Sequence, residues 1–196
     1  HNLKVLGVIA YSPEWARPAD TYFTFPPTNS ADYGQFAGAL ANRYANRVFD
    51  WELWNEPNLP LFFGYLHDDN PAGYTQLVKA AYPAVKAVQP NSTVVLAGLS
   101  PMLGDYSPPA FLDQMYASGV AGFFDAAAAH PYVSPTGIAS DPANGWSDVG
   151  RMHDVMVAHG DSDKKIWLTE LGAPTSDSPD GVSQAEQAKQ ITDVMA

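Results

Sequence analysis

The chain has 196 residues, 46% hydrophobic and 16% charged, enough for one domain that buries roughly 70% of its unfolded surface. Ten basic against 21 acidic residues give a formal charge of −11, a field that repels phosphate backbones and anionic membrane faces, so nucleic acid is excluded as a partner. Zero cysteine removes disulfides, thiolate metal sites and cysteine nucleophiles, and no apolar run approaches the length of a membrane span.

His1-Asn2 does not begin a signal peptide, and a start without Met implies a processed chain or a fragment. In chain order, the first strand is expected over Leu3–Tyr11, followed by a loop rich in Pro and aromatics. Ala31–Arg47 carries Tyr33, Phe36, Leu40 and Tyr44 at helical spacing. The second strand is Val48–Asn55, ended by Pro57. Asn70-Pro71 opens the next helix as N-cap and first-turn proline, and Tyr74, Leu77, Val78, Ala81 and Val85 form its stripe. Thr93–Leu99 is the third strand, and a short helix over Ala110–Ser118 stops at Gly119. Phe123–Ala129 reads as a fourth strand despite its alanines, because Gly122 and His130-Pro131 leave too little length for a helix. A helix with Val149, Met152 and Val155 closes at Gly160, and Lys165–Thr169 is the fifth strand. Ser183 and Glu186 form a capping box ahead of Ala188 and Ile191.

Strand and helix thus alternate five times, which predicts an α/β fold with a parallel sheet under external helices. Residues 1–196 form a single domain, with no Gly/Ser linker or charge block. Doubly wound sheets and (β/α)8 barrels share this rhythm. Neither G-x-G-x-x-G nor G-x-x-x-x-G-K-[ST] occurs, which favours the barrel. Barrel chemistry sits at the carboxyl ends of strands.

Three strands end in reactive groups: Asn55-Glu56-Pro57, His130-Pro131-Tyr132 and Glu170. Glutamate is scarce, five residues against 16 Asp, yet two stand at these ends. The period of two places Glu52, Trp54 and Glu56 on one strand face, and Ile166, Leu168 and Glu170 on one face of theirs. Glu56 and Glu170 can then meet across a barrel mouth. Glycoside hydrolysis requires such a pair, one protonated carboxyl and one ionised carboxylate opposite it.

WELWNEPN over 51–58 resembles the acid/base strand of clan A retaining glycoside hydrolases. IWLTELGA over 166–173 resembles their nucleophile strand, and His130-Pro131-Tyr132 their signature after the sixth strand. Within that clan the segments resemble families 5 and 39. The resemblance implies strands three to seven of a TIM barrel, incomplete at both ends. It further implies Glu56 as acid/base, Glu170 as nucleophile, Asn55 on the substrate 2-hydroxyl, Tyr132 donating to Glu170, and His130 in the polar network. The implied carboxyl separation is about 5–5.5 Å, with retention of configuration. The substrate is then a β-linked neutral carbohydrate, no cofactor or metal is needed, and a secreted or cell-envelope location follows by resemblance.

Glu52 is expected to be structural and buried. His67, His153 and His159 read as surface groups or helix ends. Asp68-Asp69-Asn70 and Asp161-Ser162-Asp163 lack the full calcium-loop pattern and read as caps and turns. Ser100 lies in no G-x-S-x-G, and Asn91-Ser92-Thr93 is a formal glycosylation sequon. Trp15, Tyr22, Phe23, Phe25, Phe62, Phe63, Tyr65 and Trp146 fall in loops on the catalytic side. Trp15 and Trp146 are candidates for stacking on sugar, whereas Phe62 and Phe63 are expected to pin loops to the barrel.

Five units fill the chain, so the arginine after strand two and the aromatic platform after strand eight have no counterpart. The chain is expected to be part of a longer enzyme, a fragment, or completed by a partner. Its outer strands would be open edges prone to self-association. The alternative function is a non-catalytic carbohydrate-binding remnant of the same fold. An aldolase would need a strand-end lysine, and Lys164-Lys165 starts its strand instead.

Overall fold

A computed structural model describes residues 3–65 and 70–196. His67 and the Asp68-Asp69 pair, together with His1-Asn2, lie outside the described residues. Five strands, β1 (Leu6–Ile9), β2 (Asp50–Leu53), β3 (Thr93–Leu99), β4 (Ala126–Ala129) and β5 (Lys165–Leu168), pair in parallel in sequence order. The helices are α1 (Ser30–Arg43), α2 (Asn70–Val88), α3 (Pro108–Ala117), α4 (Ser147–Ala158) and α5 (Gln184–Met195). The expected alternation is present, with strands shorter than expected at their ends. The alanine run of β4 is a buried strand, because the parallel sheet is covered on both faces there and small side chains fit.

The core lies between sheet and helices. Trp51, Leu53, Leu96, Leu99, Ala127 and Ala129 on the strands meet Tyr74, Leu77, Val78, Phe111 and Met152 on the helices. Buried phenols lock strands at their ends: Tyr33 donates to the Ile9 carbonyl at 2.6 Å, and Tyr74 donates to Leu53 O while accepting from Ala97 N–H. The opposite sheet face carries Val95, Ala126 and Ala128, with Leu6 and Trp167 against them.

Two helix faces differ from the expected stripes. On α1 the buried residues are Tyr33, Gly34, Ala37 and Ala41, while Phe36 is 55% exposed and Tyr44 is also exposed. Close approach to α2 rotates the helix: a Cβ on Gly34 would stand 2.6 Å from the Ala80 carbonyl oxygen. Contact between small residues therefore overrides the aromatic row. On α5, Ile191 is exposed and Gln190 is buried instead, donating to the Pro135 carbonyl. The α5 cap is as expected, Ser183 Oγ accepting from Glu186 N–H at 3.1 Å. Asn70 falls inside α2, and its side-chain amide donates to the Tyr65 carbonyl.

Candidate active site

Glu52 sits on the face of β2 away from the helices and is 2% exposed. Its Oε1 accepts from Gly98 N–H at 2.7 Å and from Thr169 Oγ1 at 3.2 Å. Burial raises its pKa above the usual glutamate value, a shift opposed by the Gly98 amide, the nearby His130 and the Thr169 hydroxyl, and reinforced by the Glu170 charge. The expectation of a buried Glu52 holds.

Beyond Leu53 the regular strand stops, and the expected face-sharing stops with it. Trp54 adopts φ +79° and turns into the helix-side core, where its ring packs on Tyr11, Tyr33 and Phe63 and its Nε1 donates to Phe62 O. Trp54 therefore does not share a face with Glu52. Glu56, at φ +45°, is brought back inward and is buried. Left-handed backbone at non-glycine residues costs on the order of 1–3 kcal/mol each and collects at functional sites. Here it points the Glu56 carboxylate at His130, whose Nδ1 lies 3.0 Å from Oε1.

The same correction applies to β5. Ile166 packs on the helix-side core and Trp167 on the opposite face, so Glu170 does not share the face of Ile166 and Leu168 in any regular strand. It enters the site because the chain leaves the pleat after Leu168. Its side chain is 45% exposed, and Tyr132 donates to Oε2 at 2.7 Å. His130 Nδ1 lies 3.7 Å from that oxygen. One oxygen of Glu56, one of Glu170 and a His130 nitrogen all lie within 4.8 Å of one another. Two carboxylates from separate strand ends thus flank a single imidazole, one enclosed and one open to solvent. A cation could span such spacing, but the His130–Glu56 hydrogen bond and the Tyr132–Glu170 bond account for these atoms, and we assign no metal ligands.

His130 is buried, and its ring occupies the space a side chain on Gly98 would take: a Cβ there would fall 2.0 Å from Nε2. Nε2 lies 3.0 Å from Thr169 Oγ1. Burial and the hydrogen bond to Glu170 push the Tyr132 phenol well above its ordinary pKa, so it stays a donor throughout the neutral range.

Asn55 is half-buried, and its side chain lies beside the Tyr11 phenol and opposes the rise of its pKa. Tyr11 is the site residue that the motifs missed. It stands at φ +71° just past β1, and its phenol pKa is raised by burial and by the charges of Glu56 and Glu170. Its position as the polar end of the first strand was the available signal. Trp15 is 77% exposed on the rim of a cleft of about 430 Å³, which Tyr11, Tyr33 and Phe36 also line. Trp146 is half-buried, and its backbone amide is held by Asp141 Oδ2. Phe63 is buried against Trp54 and Tyr74, as expected of a loop pin. Tyr22, Phe23 and Tyr65 are exposed. Farther off, His159 caps α4, stacks on Tyr116 and pairs with Asp113, while Asp161 accepts from Tyr116 and pairs with Lys164. These are the helix-end and turn roles expected of them. Among the described residues no helix is long and apolar enough to cross a membrane.

No protein-family model matches the sequence, and no curated protein does. Solved structures are similar. A family 39 glycoside hydrolase from Bacteroides cellulosilyticus WH2 superposes with a TM-score of 0.65 at 27% identity, over 98% of this chain and 40% of that one. A monomeric β-xylosidase from Caulobacter crescentus CB15 gives 0.64 at 23% identity, over 88% and 38%. Fungal β-1,4-galactanases give 0.64 at 18% identity, over 98% and 62%. The chain therefore resembles clan A glycoside hydrolases in fold, spans about two fifths of the length of the first two, and represents part of their barrel.

Proposed function

We propose that the chain is the central portion of a retaining O-glycosyl hydrolase acting on a β-linked neutral carbohydrate. Glu170 is its nucleophile and Glu56 its acid/base. The observation that carries this reading is the approach of one Glu56 oxygen and one Glu170 oxygen, from beyond the ends of β2 and β5, to within 4.8 Å, which supports the close carboxyl pair that double displacement uses. Glu170, open to solvent and held by Tyr132, attacks the anomeric carbon. Glu56, enclosed and bonded to His130, delivers a proton to the departing oxygen. It then takes one from the water that releases the glycosyl-enzyme. Asn55 and Tyr11 present polar edges to the sugar ring, and Trp15 offers an open face for a neighbouring sugar. Trp146 serves as a second aromatic wall. The xylosidase and galactanase names of the structural neighbours, together with the net charge of −11, favour neutral over anionic sugars. A secreted or cell-envelope location accompanies this reading.

The test is made in the full-length protein. Glu170→Gln abolishes turnover of aryl β-glycosides and oligosaccharides. Glu56→Gln costs on the order of 10²–10⁴-fold with poor leaving groups and far less with activated ones. Undiminished hydrolysis by the Glu170 variant overturns the assignment. Sugar binding by calorimetry without release of reducing ends identifies a carbohydrate-binding protein instead.

A further inference from the structure

Glu52 takes no part in the chemistry just described, yet it is a buried carboxyl connected to the site through a single side chain. Its Oε1 lies 3.9 Å from His130 Nε2, too far for a direct bond, and Thr169 Oγ1 fills the gap, 3.2 Å from Oε1 and 3.0 Å from Nε2. A threonine hydroxyl has one proton. With that proton directed to Glu52, the oxygen has only lone pairs to offer His130, and Nε2 must be the protonated ring nitrogen. Nδ1 is then the nitrogen that presents its lone pair to Glu56.

Glu52 is itself fixed. The Gly98 amide donates to the same Oε1, and the absence of a side chain on Gly98 leaves the space that the His130 ring occupies. We infer that Glu52 is a positioning residue that acts through Thr169 to set the tautomer of His130, leaving the Nδ1 lone pair to accept the hydrogen bond of the protonated Glu56 and aim it. This rests on Glu56 being the acid/base. The ordering matters because one carboxyl must be a proton donor in the first half of the reaction and an acceptor in the second. An imidazole with Nε2 held as a donor stays neutral in both halves: its Nδ1 lone pair accepts from the protonated Glu56 and orients it, Glu56 then gives its own proton to the departing oxygen, and it regains one from the incoming water. The titratable groups facing this chain are Glu52 from β2, Glu56 from the segment after β2, Tyr132 from the segment after β4 and Glu170 from the segment after β5. The buried phenols of Tyr33 and Tyr74 lie within electrostatic reach of Glu52.

The test pairs Glu52→Gln with Thr169→Val in the full-length protein labelled with 15N-histidine, with His130→Asn identifying the resonances. In the unmodified protein the His130 ring nitrogens report the Nε2–H form, and in both variants that preference is lost. The basic limb of the kcat/KM profile moves to lower pH by up to about one unit in Glu52→Gln, because a negative charge beside the His130–Glu56 pair is removed and the acid loses its proton more readily. The double variant moves no further than the larger single effect, the signature of one chain rather than two separate contacts. An unchanged His130 tautomer in a folded Glu52→Gln protein, or a superimposable pH profile, overturns the inference. A failure of the Glu170→Gln test refutes the glycosidase reading but leaves the nitrogen spectra to be judged independently.

Discussion

Tyr132 and Glu52 show how single side chains set the charge state of this site. The Tyr132–Glu170 bond, at 2.7 Å, fixes one carboxylate and aims it. Removing the hydroxyl in Tyr132→Phe forfeits about 1.5–3 kcal/mol. That is roughly 10- to 100-fold in kcat/KM, read from initial rates with an activated aryl glycoside. Because the phenol pKa is raised by burial and by Glu170, the wild-type rate shows no loss from Tyr132 ionisation anywhere in the neutral range. Glu52 has the opposite thermodynamic sign. Burial raises its folded pKa above the unfolded value of about 4.3. Its contribution to stability is therefore fully present below that value and is lost as pH rises through the folded pKa. A Glu52→Gln protein accordingly melts at or above the wild-type temperature at pH 7. The advantage shrinks toward pH 4, which thermal denaturation across that interval measures.

At this scale the sequence named Glu56, Glu170, His130 and Tyr132 through motif resemblance, and the structure brings all four together. Strand alternation does not account for their meeting. The pleat ends at Leu53 and Leu168, and the aim of both carboxylates comes from irregular backbone that a two-residue period does not describe. Tyr11 was missed for the same reason, its orientation depending on a left-handed φ that no neighbouring glycine announces.

At the scale of elements, β3 is where the site and the scaffold constrain each other. Its register shifts between Val95 and Gly98, and this irregularity brings the Gly98 amide to Glu52 and its bare α-carbon to the His130 ring. Gly98→Ala would place a methyl on the imidazole. The expected result is a loss of about 1–3 kcal/mol from overpacking, with His130 displaced and turnover falling beyond what the stability change explains. Gly34→Ala, forced against the Ala80 carbonyl between α1 and α2, lowers the melting temperature in a similar way but leaves kcat/KM of the folded fraction unchanged. Comparing the two variants by denaturant unfolding and by specific activity separates a site glycine from a packing glycine. Strand and helix identities were legible from periodicity and caps. The buried face of α1 was not, because hydrophobic size marked Phe36 and Tyr44 while the interhelical distance was set by Gly34, Ala37 and Ala41.

For the molecule as a whole, the sheet has two outer strands. Among the described residues β1 pairs with β2 alone and β5 with β4 alone. Val8 on β1 and Leu168 on β5 are exposed, as is Leu3 just before β1. Such edges recruit further strands. The charge of −11 opposes this only until salt screens it over about 8 Å at physiological ionic strength. The 196-residue chain expressed alone is therefore expected to self-associate as concentration and salt increase, seen by sedimentation velocity, and Val8→Lys shifts it toward monomer. A strictly monomeric chain at high salt contradicts this. The alternation of elements disclosed the parallel sheet from sequence alone.

The departure of Glu56 and Glu170 from the pleat has an evolutionary corollary. Since each of these carboxylates hangs on a short tether past its strand, substitutions in the tether can re-aim it while the ladder beneath keeps its pairing. Selection can then refine the aim of the two acids and the sheet architecture along nearly separate axes, which would let copies of one scaffold drift far apart in sequence while preserving the same pair of acids at its rim.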